Sequence, residues 1–165
     1  MRGLDARGMA RKTLWIVLGD HGEAFGQHEG NYGHTFQLYE ENVHVPFLVA
    51  APGLLTRPMR SAQVVSLIDT APTVLDWLGL AVPEDHQGRS ALEDRPRMAL
   101  FFADYSRASV GLRDGSRKYI YEMDSGRSRL FDLGLDPRER TNLADGFPEQ
   151  TTWYQRNLRR WSARR

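Results

Sequence analysis

An adjacent carboxylate and imidazole, Asp20 and His21, are the two side chains of this sequence best placed to do chemistry. They directly follow an apolar run of strand length, TLWIVLG at residues 13–19, so both can turn toward one ion at the end of that strand. An oxygen and a nitrogen ligand together suit a divalent cation. Taken alone, such a pair is more often a turn in which Asp20 caps the backbone and His21 packs beside it.

The residues around this pair predict an α/β unit. The run at residues 13–19 has the pattern of a strand buried on both faces of a largely parallel sheet. Residues 22–35, rich in glycine and histidine, indicate a loop that leaves the carboxyl end of this strand, where α/β sheets bind ligands. Three further elements are expected: a short helix at 36–41, a buried strand at Val45 to Ala50, and a helix at 66–80 with Pro72 near its first turn.

The second half of the chain predicts a small antiparallel sheet and a closing helix. Four short strand-like segments are separated by turn signals such as Asp114-Gly115 and Ser125-Gly126. These segments are Met98 to Ala103, Ser109 to Arg113, Lys118 to Glu122 and Arg129 to Leu133. The helix is expected at Phe147 to Ser162, with a buried stripe of Trp153, Tyr154, Leu158 and Trp161. We therefore divide the chain into residues 1–97, an α/β part, and residues 98–165, a sheet-plus-helix subdomain.

The composition excludes several classes of function. A formal net charge of +1 provides no field that would favour nucleic acid or an anionic membrane, so neither is expected as a partner. Arginines near both ends, among them Arg164 and Arg165, are interpreted as solvated. The absence of cysteine excludes disulfides, thiolate metal sites and any cysteine-derived nucleophile within these residues. No signal-peptide or membrane-spanning pattern occurs, so the compartment stays undetermined.

The string GDHGEAFGQHEGNYGHTFQLYEENVHVPFLVAAPG, Gly19 to Gly53, resembles the sulfatase family of the alkaline-phosphatase-like superfamily. Further similarity extends over nearly all of residues 13–145. It includes the segments DTAPT from Asp69, GRS from Gly88, VGLRDG from Val110, LFDL from Leu130, and the stretch from Asp136-Pro137 to Ala144. The resemblance implies the C-terminal portion of an alkaline-phosphatase-like α/β domain, with a parallel or mixed sheet and flanking helices, followed by a small antiparallel subdomain.

By this resemblance, Asp20 and His21 are two ligands of the active-site metal, which neutralises the ester's anionic oxygens. Calcium is the ion that the family most often uses, although an Asp-His pair also suits manganese or zinc. His34 stands where many relatives have a Lys or His that touches the transferred group or the leaving oxygen. A protonated imidazole there could donate a proton to a departing alkoxide. The alternative is a loop histidine bonded to the backbone.

The remaining histidines and the loop glutamates are assigned structural roles. His28 is expected to be a solvated loop residue, His44 to stand at a strand entrance, and His86 to lie in a polar connector. Glu23, Glu40 and Glu41 could orient the ligands, but acids at a helix edge usually face solvent.

The segment that should carry the nucleophile is missing. Sulfatases convert the Cys or Ser of a Cys/Ser-x-Pro-x-Arg signature to formylglycine, and this signature is not encoded here. The segment TRPMR, residues 56–60, mimics the spacing but follows the second strand, so we interpret it as a chance match. Related phosphoryl transferases use a threonine nucleophile that also lies upstream, so the sequence does not separate sulfate from phosphate chemistry.

Two hypotheses follow. In the first, the chain is part of a metal-dependent hydrolase of sulfate or phosphate esters, or of a phosphoglycerol- or phosphoethanolamine-type transferase, and it needs an upstream polypeptide for catalysis. The parent could be exported or membrane-anchored. In the second, the chain is a non-catalytic binding module derived from a sulfatase. In either case the apolar strand at residues 13–19 would expose a hydrophobic surface without its upstream neighbours, which predicts poor solubility or association.

Overall fold

The computed structural model describes residues 2–34, 36–105 and 108–163; the two terminal arginines predicted to be solvated lie outside them. The helices are α1 Arg2–Asp5, α2 Glu40–Val43, α3 Thr70–Trp77 and α4 Pro148–Ser162. The strands are β1 Trp15–Leu18, β2 Ala24–Phe25, β3 Tyr32–Gly33, β4 Phe47–Ala50, β5 Met98–Ala103, β6 Ser109–Asp114, β7 Arg117–Glu122 and β8 Ser128–Asp132. Short 3₁₀ turns occupy Ala10–Lys12, Leu67–Asp69 and Ala144–Gly146.

Strands β5 to β8 form a four-stranded antiparallel sheet in sequential order, as the turn signals predicted. Gly115 and Gly126 lie in the two turns with φ of 56° and 71°, a conformation that glycine adopts without steric cost. Helix α4 packs across one face of this sheet. The resulting core consists of Val110, Leu112, Tyr119, Tyr121, Leu130, Ala144, Tyr154 and Leu158.

The buried stripe of α4 is narrower than predicted. Tyr154 and Leu158 are each 1% exposed and Trp161 is partly buried against the core, but Trp153 is 49% exposed. Residues 154, 158 and 161 follow the i, i+4, i+7 spacing of one helical face. Trp153 is rotated from that face by about 100°, so its predicted burial is wrong.

The expected α/β class, with flanking helices, a small antiparallel sheet and a C-terminal helix, is confirmed, but the first two apolar strands pair differently from expectation. Strands β1 and β4 are antiparallel and form a two-stranded sheet, with Val17 opposite Leu48. These two side chains are 56% and 62% exposed, so the strand is not buried on both faces. The described residues contain no further strand that pairs with this sheet, which leaves one apolar face open.

The helix predicted at 66–80 is shorter and more exposed than expected. The Ser66 hydroxyl and the Asp69 carboxylate form a reciprocal capping box, and Pro72 stands in the first turn of α3 as predicted. Pro72 and Thr73 are buried, whereas the apolar side chains at both ends are exposed. The exposed ones are Leu67, Ile68, Leu78 and Leu80. The apolar face that the sequence pattern predicts to be buried is therefore not covered by any other part of the described residues.

A second apolar cluster joins the α/β part to the antiparallel sheet. Leu38, just before α2, packs with Ile120, Phe131 and Leu133, and Tyr39 lies against the same cluster. No helix among the described residues is long and apolar enough to cross a bilayer.

Candidate functional site

Three side chains meet at the base of the hairpin formed by β2 and β3. His21 and Glu23 precede β2 and His34 follows β3, and each offers one ligand atom such that all three atoms lie within 4.8 Å of one another. His34 Nδ1 is 2.8 Å from Glu23 Oε2, and the imidazoles of His21 and His34 stack with centroids 4.1 Å apart. Their side chains are 46–47% exposed, so solutes can reach all three.

Asp20 lies beside this group but outside it. Its side chain is 88% exposed, and its Oδ1 atom accepts the backbone N–H of His21 at 3.1 Å. The same oxygen is 3.8 Å from His21 Nε2. His21 Nδ1 is 2.9 Å from the carbonyl oxygen of Gly22, to which it donates, so Nε2 remains available as a ligand. The pair thus has one oxygen and one nitrogen donor close to each other. Asp20 also accepts the backbone N–H of His21, which is the local turn contact expected if the pair were purely structural.

Asn42 of α2 holds the two arms of the loop together. Its backbone carbonyl accepts the Gly22 N–H at 2.8 Å, and its side-chain Nδ2 donates to the Gly33 carbonyl at 2.9 Å. Its Oδ1 accepts from Asn31 Nδ2 at 2.7 Å, and both asparagines are buried. Since Gly22 adjoins His21 and Gly33 adjoins His34, this one residue fixes the backbone spacing of the site.

We predict that Gly22→Ala displaces the site loop. A Cβ at this position would lie 2.1 Å from the Glu41 carbonyl oxygen, which belongs to the backbone of α2 and cannot rotate away. The substitution should lower the thermal midpoint by several degrees, since about 1 kcal/mol shifts a chain of this size by about 2–4 °C or more. Gly146→Ala is the matched control, because a Cβ there meets nothing within 4 Å. Equal midpoints for the two variants would contradict the assigned contact.

His28 and Glu41 are not solvent-facing, which corrects the expectation for both. His28 Nδ1 is 2.7 Å from Glu41 Oε1, and Nε2 is 3.0 Å from the carbonyl oxygen of Arg138. The His28 ring stacks on Tyr39 at 3.7 Å between centroids. Burial opposes ionisation of Glu41, but hydrogen bonds from His28 and Asn31 outweigh it and lower the pKa of this carboxyl. The structural role assigned to His28 is nevertheless consistent with these contacts.

Glu40, also expected to face solvent, belongs to a buried charge network below the site. Lys118 Nζ lies 3.1 Å from Glu40 Oε1 and 2.9 Å from Glu139 Oε1, and the Lys118 and Glu139 side chains are both 0% exposed. Glu139 Oε2 also accepts the backbone N–H of Glu40. Burial raises the pKa of Glu139, an effect that the Lys118 ammonium opposes. This network fastens α2, and through Asn42 the site, onto the antiparallel sheet.

Two site residues were not identified from the sequence. Asn42 was not considered, and Glu23 was given no specific partner. Glu23 precedes a β-strand by one residue and His34 follows the paired strand by one residue, so the hairpin pairing of Ala24 with Gly33 brings them together. Recognising the hairpin from Gly26 and Gly30, which have φ of 85° and 72°, could have predicted this contact.

The comparisons with known proteins agree with this fold. Residues 1–80 match the sulfatase family model. Arylsulfatase K of Mus musculus is 38% identical over 92% of this chain and 30% of its own length. A putative sulfatase structure from Bacteroides fragilis has a TM-score of 0.81 at 22% identity, covering 97% of this chain and 37% of that one. The phosphonate monoester hydrolase of Silicibacter pomeroyi has a TM-score of 0.78 at 24% identity, covering 99% and 37%.

The solved structures that the chain resembles show that it has an alkaline-phosphatase-like α/β fold. The chain is similar to sulfatases, by the family model over residues 1–80 and by an arylsulfatase K relative over 92% of its length. It spans about a third of the length of the curated relatives that it matches, with shares of 30%, 31% and 30% for three arylsulfatase K proteins.

Proposed function

We propose that this chain is the C-terminal part of a metal-dependent sulfate-ester hydrolase whose nucleophile is supplied by polypeptide outside these 165 residues. The observation that carries the proposal is the arrangement at the end of β1, where Asp20 Oδ1 lies 3.8 Å from His21 Nε2 and the His34 ring stacks on that of His21 with centroids 4.1 Å apart. The relatives named arylsulfatase support sulfate chemistry over the alternatives.

Asp20 and His21 are the proposed metal ligands. Asp20 Oδ1 and His21 Nε2 are 3.8 Å apart and exposed, and the hydrogen bond from His21 Nδ1 to the Gly22 carbonyl holds the ring in the tautomer that a ligand needs. A divalent ion bound there would supply Lewis-acid polarisation of the ester's anionic oxygens. Calcium is our proposed ion by family resemblance alone, and manganese and zinc are the alternatives, of which zinc suits the imidazole nitrogen of His21 better than calcium does.

His34 is the proposed proton donor to the leaving alcohol. Its Nδ1 faces Glu23 Oε2 at 2.8 Å, which orients the ring and leaves Nε2 available to a substrate oxygen. Stacking on His21 at 4.1 Å places that ring next to the proposed metal ligand. Glu23 thereby positions His34, in the way that a carboxylate orients many catalytic imidazoles.

The exposed apolar side chains of β1, β4 and α3 support the proposal that further polypeptide packs against this part of the chain. Val17 and Leu48 lie side by side on the open face of the β1–β4 sheet, and α3 exposes Ile68 and Leu78. Side chains of this kind are normally buried, and burying each contributes about 1.5–3 kcal/mol. We propose that the nucleophile-bearing segment packs here, beside the carboxyl end of β1 where the site lies.

The proposal is tested by sulfate-ester hydrolysis in the assembled enzyme, in which the chain is joined to its nucleophile-bearing segment. Asp20→Ala and His34→Ala should each lower kcat by at least about a hundredfold, the scale of a lost acid catalyst. His44→Ala is the control, because His44 is 75% exposed and contacts Glu40 rather than the site. Full activity of Asp20→Ala would contradict its role as a metal ligand. Preferential cleavage of phosphate or phosphonate monoesters would show that the enzyme is a phosphoryl or phosphonyl hydrolase and not a sulfatase. Inactivity of every assembly would favour the non-catalytic binding module.

A further inference from the structure

The group formed by His21, Glu23 and His34 differs from the proposed catalytic metal pair in both composition and place. It contains two imidazoles and one carboxylate, whereas Asp20 is not a member. Two nitrogens and one oxygen are a donor set that zinc-type ions favour and that calcium, which takes six to eight oxygens, does not. The two sets share only His21.

The geometry of the group is close to that of a zinc site. Ligand atoms about 2.0–2.1 Å from a tetrahedral zinc ion lie roughly 3.3 Å from one another. His34 Nδ1 and Glu23 Oε2 are 2.8 Å apart, with a hydrogen between them, and all three ligand atoms lie within 4.8 Å. To bind an ion in place of this hydrogen, the distance between His34 Nδ1 and Glu23 Oε2 needs to lengthen slightly and the His21 ring needs to move slightly closer to them.

Hydrogen bonds from a buried side chain hold the backbone on both sides of the His21–Glu23–His34 group, whereas the three side chains themselves are exposed. Asn42, itself buried, bonds the backbone at both Gly22 and Gly33, which fixes the distance between the two arms of the loop. The three side chains are 46–47% exposed, so an ion can reach them without displacing packed residues. His28, in the same loop, is a contrast because both of its ring nitrogens already face acceptors.

We propose that this chain binds one zinc-type transition-metal ion through His21, Glu23 and His34, at a site distinct from the Asp20–His21 pair. Binding there takes His34 Nδ1 and the Glu23 carboxylate out of the hydrogen bond that orients His34. A zinc ion at this site therefore competes with the arrangement needed for proton donation to a leaving group. The inference shares His21 with the proposed function but does not depend on catalysis.

The test is calorimetric titration of the full chain with Zn²⁺ and with Ca²⁺, supported by the visible spectrum of Co²⁺ as a substitute for zinc. We expect one Zn²⁺ per chain in the wild type, in Asp20→Ala and in the control His44→Ala. Glu23→Gln and His34→Ala should each weaken Zn²⁺ binding by roughly tenfold or more, the size of effect seen when a metal site loses a supporting group. Circular dichroism of each variant verifies that the fold is retained.

Three outcomes would overturn the inference. They are an absence of Zn²⁺ binding by the folded wild type, unchanged binding in Glu23→Gln and His34→Ala, or a loss in Asp20→Ala as large as in His34→Ala. The last result would place the ion on the Asp20–His21 pair. None of these results alters the proposed hydrolase function, which is judged by hydrolysis in the assembled enzyme with Asp20→Ala.

Discussion

Replacing Glu139 with alanine should lower the free energy of unfolding by about 3 kcal/mol or more, within the range of about 3–5 kcal/mol for breaking a buried ion pair. The variant leaves the Lys118 ammonium, 0% exposed, without its 2.9 Å partner and removes the acceptor of the Glu40 N–H. Glu40 Oε1, 3.1 Å from Lys118 Nζ, compensates in part. Urea unfolding of the full chain measures the change, with the exposed neighbour replaced in Arg140→Ala as control.

The same residue gives a pH dependence of defined sign. Burial raises the pKa of Glu139 above its ordinary 4.5, so the folded chain holds this proton more tightly than the unfolded chain. Its contribution to stability is therefore complete below pH 4.5 and is lost as the pH rises through the folded-state pKa. Glu41, whose pKa is lowered by its hydrogen bonds despite burial, contributes with the opposite sign: its stabilisation is present above pH 4.5 and is lost on acidification.

Glu139→Gln, which does not titrate, separates the two contributions. In this variant the loss of stability on raising the pH above 4.5 should be smaller than in the wild type, while the loss on acidification stays. Identical pH profiles for the wild type and Glu139→Gln would show that burial does not raise the pKa of Glu139. A cost below about 1 kcal/mol for Glu139→Ala would show that the ion pair does not hold α2 onto the sheet.

Truncating Leu158 to alanine should cost about 2–5 kcal/mol, because it opens a cavity in the core between α4 and the antiparallel sheet. Leu158 is 1% exposed and packs in the cluster that contains Leu112, Tyr119 and Leu130. Leu135→Ala is a control with the same chemistry at a side chain that is 87% exposed, and it should change stability by less than about 0.5 kcal/mol. Similar costs for both variants, measured by denaturant unfolding, would contradict the packing of α4.

The antiparallel sheet was predictable from sequence because its signals are local. Turn pairs such as Asp114-Gly115 fix where each strand ends, and the observed strand β6, Ser109–Asp114, differs by one residue from the expected one. The direction of β1 against β4 was not predictable in this way. That pairing joins distant segments, and a continuous apolar run does not specify whether its partner runs parallel or antiparallel.

The candidate site was predictable only where residue type and position after a strand coincide. Asp20 and His21 were selected on that basis, whereas His34 was selected by resemblance to the sulfatase family. The contact between His34 and Glu23 depends on a two-residue hairpin pairing, and the role of Asn42 depends on where α2 lies. Neither is a property of spacing along the chain, because both arise from the way the loop folds back on α2.

Hydrolysis of an aryl sulfate in the presence of Ca²⁺, measured for the chain alone and for the chain joined to the nucleophile-bearing segment, tests the central claim most directly. We expect no activity from the chain alone, activity from the joined protein, and loss of that activity in joined Asp20→Ala. Activity of the chain alone would show that it carries its own nucleophile. Undiminished activity of the joined Asp20→Ala variant would show that the site at the end of β1 is not the metal centre.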